Sequence, residues 1–186
     1  MVTKTRVSID EFLAMPETEP PSELIDGEVV QKPMPNDDHG DLTSWLIGQL
    51  FIHLQQLGRG RVKNEVRHAD RDEQWVYLPD VEVRLAPRTS GRGASRPTET
   101  PPDFAIEVLS PGDRPGRLLQ RVSFYMRTGV ALLWVVDPVD EQITVYQPGA
   151  SPSTFQAPAV INAAPVLPGF ELDLAELFAI LPPLDE

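Results

Sequence analysis

The sequence predicts one domain of the α/β class, of the α+β type, in which a block of short strands lies between two amphipathic helical runs. Three observations predict it. Leu42, Leu46, Leu50, Leu54 and Leu57 recur at about one helical turn. The runs "GRVKNEVRHA", "QWVYLPDVEVRLA" and "PDFAIEVLS" alternate or stay apolar over short lengths between turn residues, as strands do. "ALLWVVDP" is almost unbroken in apolar residues, the pattern of a strand covered on both faces. A chain of 186 residues can bury one core, so a single domain over 1–186 is expected, with its core at about 20–180 and a frayed "LPPLDE" tail.

Taken in order, Ser8 and Glu11 have the spacing of a capping box and predict a short helix through "SIDEFLAM" that ends at Pro16. Asp26-Gly27 between two apolar pairs predicts a hairpin over 22–31. "NDDHG" opens the Leu-lined helix, and Gly58 closes it. The three strand runs that follow are expected to form an antiparallel meander. From Arg117 the period changes, with Leu118, Val122 and Tyr125 on one side and Gly129 as the stop, so a second helix is expected. "EQITVYQ" and "STFQAP" read as exposed edge strands. "DLAELF" reads as a last short helix with Asp173 and Glu176 at capping positions.

Composition narrows the chemistry. With no cysteine there are no disulfides, zinc clusters or thiol nucleophiles, and three His make a His-based metal cage a poor expectation. Any metal would be a hard one held by oxygen. No segment approaches about 18 unbroken apolar residues, and "MVTKTRVSIDEF" lacks the apolar region of a secretory signal. A soluble, cytoplasmic protein without membrane contact is expected. The net charge of -12 is uneven: residues 1–50 carry ten acids and three bases, residues 151–186 five acids and no base, and residues 51–100 nine bases against seven acids. A locally basic patch on an acidic protein can still bind phosphates, so charge leaves a polyanion partner open.

The stretch "PPDFAIEVLSPGD" places Glu107 in a run that reads as a buried strand. A carboxylate there needs a cation, a metal ion or a cage of hydrogen bonds. Alternation puts Asp103 and Glu107 on one face and Phe104, Ile106 and Val108 on the other. If "YLPDVEVRL" pairs antiparallel with this strand, Asp80 falls opposite Glu107, at about 5 Å between Cβ atoms, where two carboxylates can hold one divalent cation. The alternative partner for Glu107 is Arg117 or Arg121 in a buried ion pair.

Six stretches in this order, "SELIDGEVV", "HG" opening a helix, "LPDVEV", "PPDFAIEVLSP", "FYMRTGVALLWVVDP" and "LPGFELDLAELF", resemble the Uma-two family of restriction-endonuclease-like PD-(D/E)xK proteins, from about residue 8 to 180. The resemblance implies a mixed sheet flanked by helices, Mg²⁺ (or Mn²⁺) at paired carboxylates, and hydrolysis of phosphodiesters in nucleic acid. Matched residue by residue, it makes Asp80 and Glu107 the metal ligands and crowds Glu23 and His39 into the same pocket. It departs at the lysine. Two residues after Glu107 stands Leu109, the helix position to which the family moves its Lys holds Arg121, and Lys4, Lys32 and Lys63 do not stand where the motif asks.

Arg121 can hold a phosphate through its fork of donors but cannot shuttle a proton at neutral pH. Arg88, Arg92 and Arg96 fall in a Pro/Gly-rich loop between the Asp80 and Glu107 strands and, with Arg117, are candidate phosphate binders; a purely solvating loop is the other reading. Asp103 and Asp137 read as turn carboxylates, Glu82 and Arg84 as a solvated or cross-strand pair, and His53 and His68 as surface residues. Three functions follow: a metal-dependent nuclease; a degenerate member that binds nucleic acid or a protein without cutting; and an assembly module, a homodimer paired through edge strands.

Overall fold

Asp26 and Gly27 both adopt positive φ, 49° and 76°, as a tight hairpin turn of matching twist requires. They join β1 (Ser22–Ile25) to β2 (Glu28–Gln31), with Ser22 opposite Gln31 and Ile25 opposite Glu28. A Cβ on Gly27 would come within 3.0 Å of the Arg6 Cβ. Gly27→Ala is therefore expected to cost about 1 kcal/mol, measured as a lower urea midpoint at unchanged slope.

The computed structural model describes residues 6–86 and 97–183; the expected arginine loop, with Arg88, Arg92 and Arg96, lies outside them. The strands after the hairpin are β3 (Arg61–Lys63), β4 (His68–Asp70), β5 (Trp75–Tyr77), β6 (Val81–Arg84) and β7 (Phe104–Val108). They continue with β8 (Leu132–Asp137), β9 (Gln142–Tyr146), β10 (Ser153–Gln156), β11 (Val160–Asn162) and β12 (Glu171–Asp173). A six-stranded sheet has the order β10-β9-β8-β7-β6-β3, and a four-stranded one the order β2-β1-β5-β4. Among the described strands only β7 and β8 pair in parallel, joined by the helix α3 (Pro115–Arg127).

The meander is not formed. Each of the first two strand runs breaks in two and is shared between sheets: β3 and β6 enter the larger sheet, β4 and β5 the smaller. In the second run the break falls at Leu78-Pro79-Asp80, where Pro79 has no N–H to give to a ladder.

The helices start where their caps allow. Ser8 and Glu11 make both bonds of the capping box at α1 (Ile9–Leu13). Asn36 caps α2 (Asp37–Leu57), which Gly58 ends at φ 68°. α3 begins two residues before Arg117 because Pro115 suits the first turn, and Asp173 caps α4 (Leu174–Phe178). Among the described residues no helix is long and apolar enough to cross a membrane.

The large sheet is covered on both faces. Val81, Val83, Phe104, Ile106, Val108, Leu132, Trp134 and Val136 pack with Leu42, Leu46, Leu50 and Leu54 of α2. Ala105, Leu133 and Val135 face Val122, Phe124 and Tyr125 of α3, together with Trp75 and Tyr77 of the smaller sheet. Glu107 lies on this second face, where it meets α3 and the smaller sheet.

Candidate active site

β6 and β7 pair antiparallel with Val81 opposite Ile106, so one further step sets Asp80 opposite Glu107, as the pairing argument expects. Both are buried, at 3% and 1% exposure. Asp80 Oδ2 accepts from the Val108 amide at 2.8 Å, which holds the carboxylate at the end of the ladder.

Each carboxylate already faces a cation. Lys32 Nζ lies 2.6 Å from Asp80 Oδ1 and donates to the Leu78 carbonyl at 2.9 Å. His39 Nε2 stands 3.3 Å from Asp80 Oδ2. Arg121 donates to Glu107 at 2.8 Å through Nη1 and to Glu23 at 3.0 Å through Nη2. Tyr125 Oη donates to Glu107 Oε1, and Glu23 Oε1 accepts from the Leu78 amide at 2.9 Å.

The electrostatics follow from burial and these contacts. Burial pushes the Asp80 carboxyl upward, but Lys32 and His39 outweigh it and hold Asp80 well below the usual carboxylate range. For Glu107 burial wins over Arg121, and its carboxyl is pushed up to about 7. Desolvation disfavours the Lys32 ammonium, yet Asp80, Glu107 and Glu23 together raise it above its ordinary value.

Glu23, His39, Asp80, Glu107 and Arg121, proposed from sequence, are thus brought together. Arg117 is not: it pairs with Glu28 at 3.0 Å and lies outside the cleft described below. Arg121 is buried on α3, one turn before Tyr125, and both side chains reach Glu107.

Two residues were missed. Lys32, set aside because it stands far from the motif, reaches Asp80 through the hairpin: its amide donates to Pro21 at 2.9 Å, extending the ladder, so alternation puts Lys32 on the Glu23 face. That alternation was the available signal. Tyr125 was read as apolar face alone.

His68 and Glu82 also differ from expectation. Both are fully buried. His68 Nε2 bonds Glu82, its Nδ1 faces the Thr100 carbonyl at 3.2 Å, and Lys63 Nζ reaches Glu82 at 3.1 Å. Glu82 therefore pairs with Lys63 and His68 rather than with Arg84. Asp137 behaves as a turn carboxylate, accepting from the Val139 amide at 3.0 Å, whereas Asp103, read as another, reaches across to the chain after β6 and accepts from the Leu85 amide at 2.7 Å.

Asp80, Lys32, His39 and Arg121 line a cleft of about 2130 Å³ that also reaches Arg61, Lys63, Arg84 and Thr100. This exceeds the roughly 300–1,000 Å³ of small-molecule pockets. Glu107 sits behind Arg121, outside the cleft lining. Among the described residues no group of three or more His, Asp or Glu side chains is arranged to hold a metal ion.

The family model Uma2, described as "Putative restriction endonuclease", matches residues 9–175. No curated protein matches the chain. Among solved structures the chain is similar to that of "a putative nuclease belonging to DUF820" from Anabaena variabilis, with 27% identity over 93% of this chain and 98% of that one, and a TM-score of 0.85. That neighbour shares the mixed sheet flanked by helices. With nine-tenths of its length matched by the family model, from the capped first helix to the last, the chain belongs to the Uma2 (Uma-two) family of restriction-endonuclease-like proteins.

Proposed function

We propose that the protein is a nuclease that hydrolyses phosphodiesters of DNA or RNA with Mg²⁺ or Mn²⁺ held by Asp80 and Glu107. The observation that carries this reading is the pair of carboxylates set opposite each other, Asp80 on the wall of a large cleft and Glu107 behind it, with an ammonium 2.6 Å from Asp80. The donors fit a hard divalent cation: carboxylate oxygens, with no sulfur and one imidazole nearby. Asp80 faces the cleft, and the cation now beside it is a lysine on a flexible stem, which can withdraw. When bound, the divalent cation supplies Lewis acidity at the phosphoryl group.

The chain's own residues supply the rest. Lys32, released from Asp80, brings a compact positive charge to the phosphoryl oxygens as their charge grows. His39 and the Val108 amide orient Asp80. Arg121 spans Glu23 and Glu107 and holds both carboxylates in place, so it acts as a positioning residue rather than as the missing lysine.

A second reading, binding without cleavage, is favoured by one observation: every oxygen of Asp80 and Glu107 already has a donor. The two separate in one assay, incubation of single- and double-stranded DNA and RNA with Mn²⁺ and wild type or Asp80→Asn. Cleavage by wild type that vanishes in the variant is the expected result. A wild type that binds these polymers yet leaves all of them intact would replace the nuclease with the binder.

A further inference from the structure

Two arginines in the cleft lack the counter-charge that the others have. In the β3–β6 ladder Lys63 stands opposite Glu82 and Arg61 opposite Arg84. Val62 and Val83 between them turn to the apolar core, so Arg61, Lys63, Glu82 and Arg84 share the cleft face. The first rung is an ion pair, Lys63 to Glu82 at 3.1 Å. The second sets two arginines at directly opposite positions of the ladder, a like-charge pairing.

Arg84 is 8% exposed and donates from Nη1 to the Thr100 carbonyl at 3.1 Å. Arg61 donates from Nη2 to the Ala86 carbonyl at 3.1 Å, and its buried Nε has no partner. Among the described residues no carboxylate lies within ion-pair distance of either. Arg67 and Arg71, on the same cleft, do have acids, Glu17 at 3.3 Å and Asp10 at 3.1 Å. Two arginines at opposite ladder positions on the wall of a cleft, with donors to spare, lack an anion.

We propose that Arg61 and Arg84 form a phosphate subsite that grips the backbone of the nucleic acid a few nucleotides from the phosphodiester at Asp80. Two forks of N–H donors match phosphate oxygens better than any other side-chain pair. The position sets the spacing. Asp80, just before β6, and Arg84 at its end lie four residues apart with alternation on one side, about 13 Å along an extended chain, and duplex phosphates rise about 3.4 Å per nucleotide on each strand. The subsite rests on the nuclease or binder reading for its polymer, but not on cleavage or on a metal.

The test is oligonucleotide binding in EDTA, by fluorescence anisotropy across a salt series, with single strands of two to twelve nucleotides. Wild type is expected to gain affinity as the strand becomes long enough to reach from Asp80 to Arg84. The double variant Arg61→Gln, Arg84→Gln should lose that gain and reduce the slope of log K against log salt by about 0.7 to 1.4, one or two phosphate contacts. Arg61→Lys, Arg84→Lys should keep the slope and bind more weakly.

Urea unfolding of the Gln variant serves as the control for folding: relief of like-charge repulsion should leave it at least as stable as wild type. Inorganic phosphate that competes with short and long strands alike would mark a free-phosphate site and overturn the polymer subsite. So would an unchanged salt slope in a folded Gln variant. If wild type binds no strand of any length, the nucleic-acid reading itself fails with it, whereas strand binding that ignores Arg61 and Arg84 sinks the subsite alone.

Discussion

Arg121→Met is expected to destabilise the protein by about 3–5 kcal/mol, the loss that follows when a buried charge pair is broken from one side. Among the described residues Arg121 is the one cation that touches both Glu23 and Glu107, and all three side chains are buried. Removing it strands two carboxylates in a site where Glu107 is already pushed up to about 7 by burial. The comparison that isolates the cause is Arg121→Met in the background of Glu23→Gln and Glu107→Gln. There the penalty should shrink by more than half, because nothing charged is left unpaired. Urea unfolding of the four combinations measures it. A loss below about 1 kcal/mol for the single variant would mean that the fork does not neutralise the carboxylates in the folded protein.

Lys32→Gln carries the second large effect, on activity. If Lys32 meets the charge that grows on the phosphoryl oxygens, its loss should lower the cleavage rate by about 10²–10³, the range for removing one preorganised stabilising group. The same change should tighten Mn²⁺ binding, since the ammonium 2.6 Å from Asp80 Oδ1 no longer competes for that oxygen. Slower cleavage together with tighter metal binding is a combination that simple loss of the fold cannot produce. Lys32→Arg should retain charge and stability with intermediate activity. Full activity in a folded Lys32→Gln would remove Lys32 from the chemistry, and Mn²⁺ binding that weakens would show that the ammonium supports the site rather than competing for it.

Local rules made much of the fold legible. The capping box at Ser8, the Asp26-Gly27 turn, the leucine repeat of α2 and the unbroken apolar run of β8 each state their element in a few adjacent residues. The opposition of Asp80 and Glu107 followed from alternation and one antiparallel pairing. What stayed hidden depended on contacts between distant segments. The chain changes sheets at Pro79, and nothing local says that β4 and β5 will join the hairpin. His68 reads as an ordinary surface histidine until Glu82, fourteen residues on, turns out to be its buried partner. Lys32 escaped for the same reason: it meets Asp80 across 48 residues of chain, whereas the motif directs attention to positions beside Glu107.

The sheet change at Leu78-Pro79-Asp80 has a mechanical consequence. On either side of Pro79 an acidic side chain takes up a backbone amide of its own sheet: Glu23 of β1 takes that of Leu78, which follows β5, and Asp80, which precedes β6, takes that of Val108 in β7. Each sheet is therefore closed at this seam by an acidic side chain in place of a ladder bond. Each acid is at once a charge and a fastener. Truncating Glu23 or Asp80 to Ala would unpick a backbone bond along with the charge, so lost activity in such a variant would mix chemistry with a loosened seam. The amide isosteres keep an oxygen for the Leu78 and Val108 amides and leave the seam sewn, which makes Gln and Asn the substitutions that interrogate the charge alone.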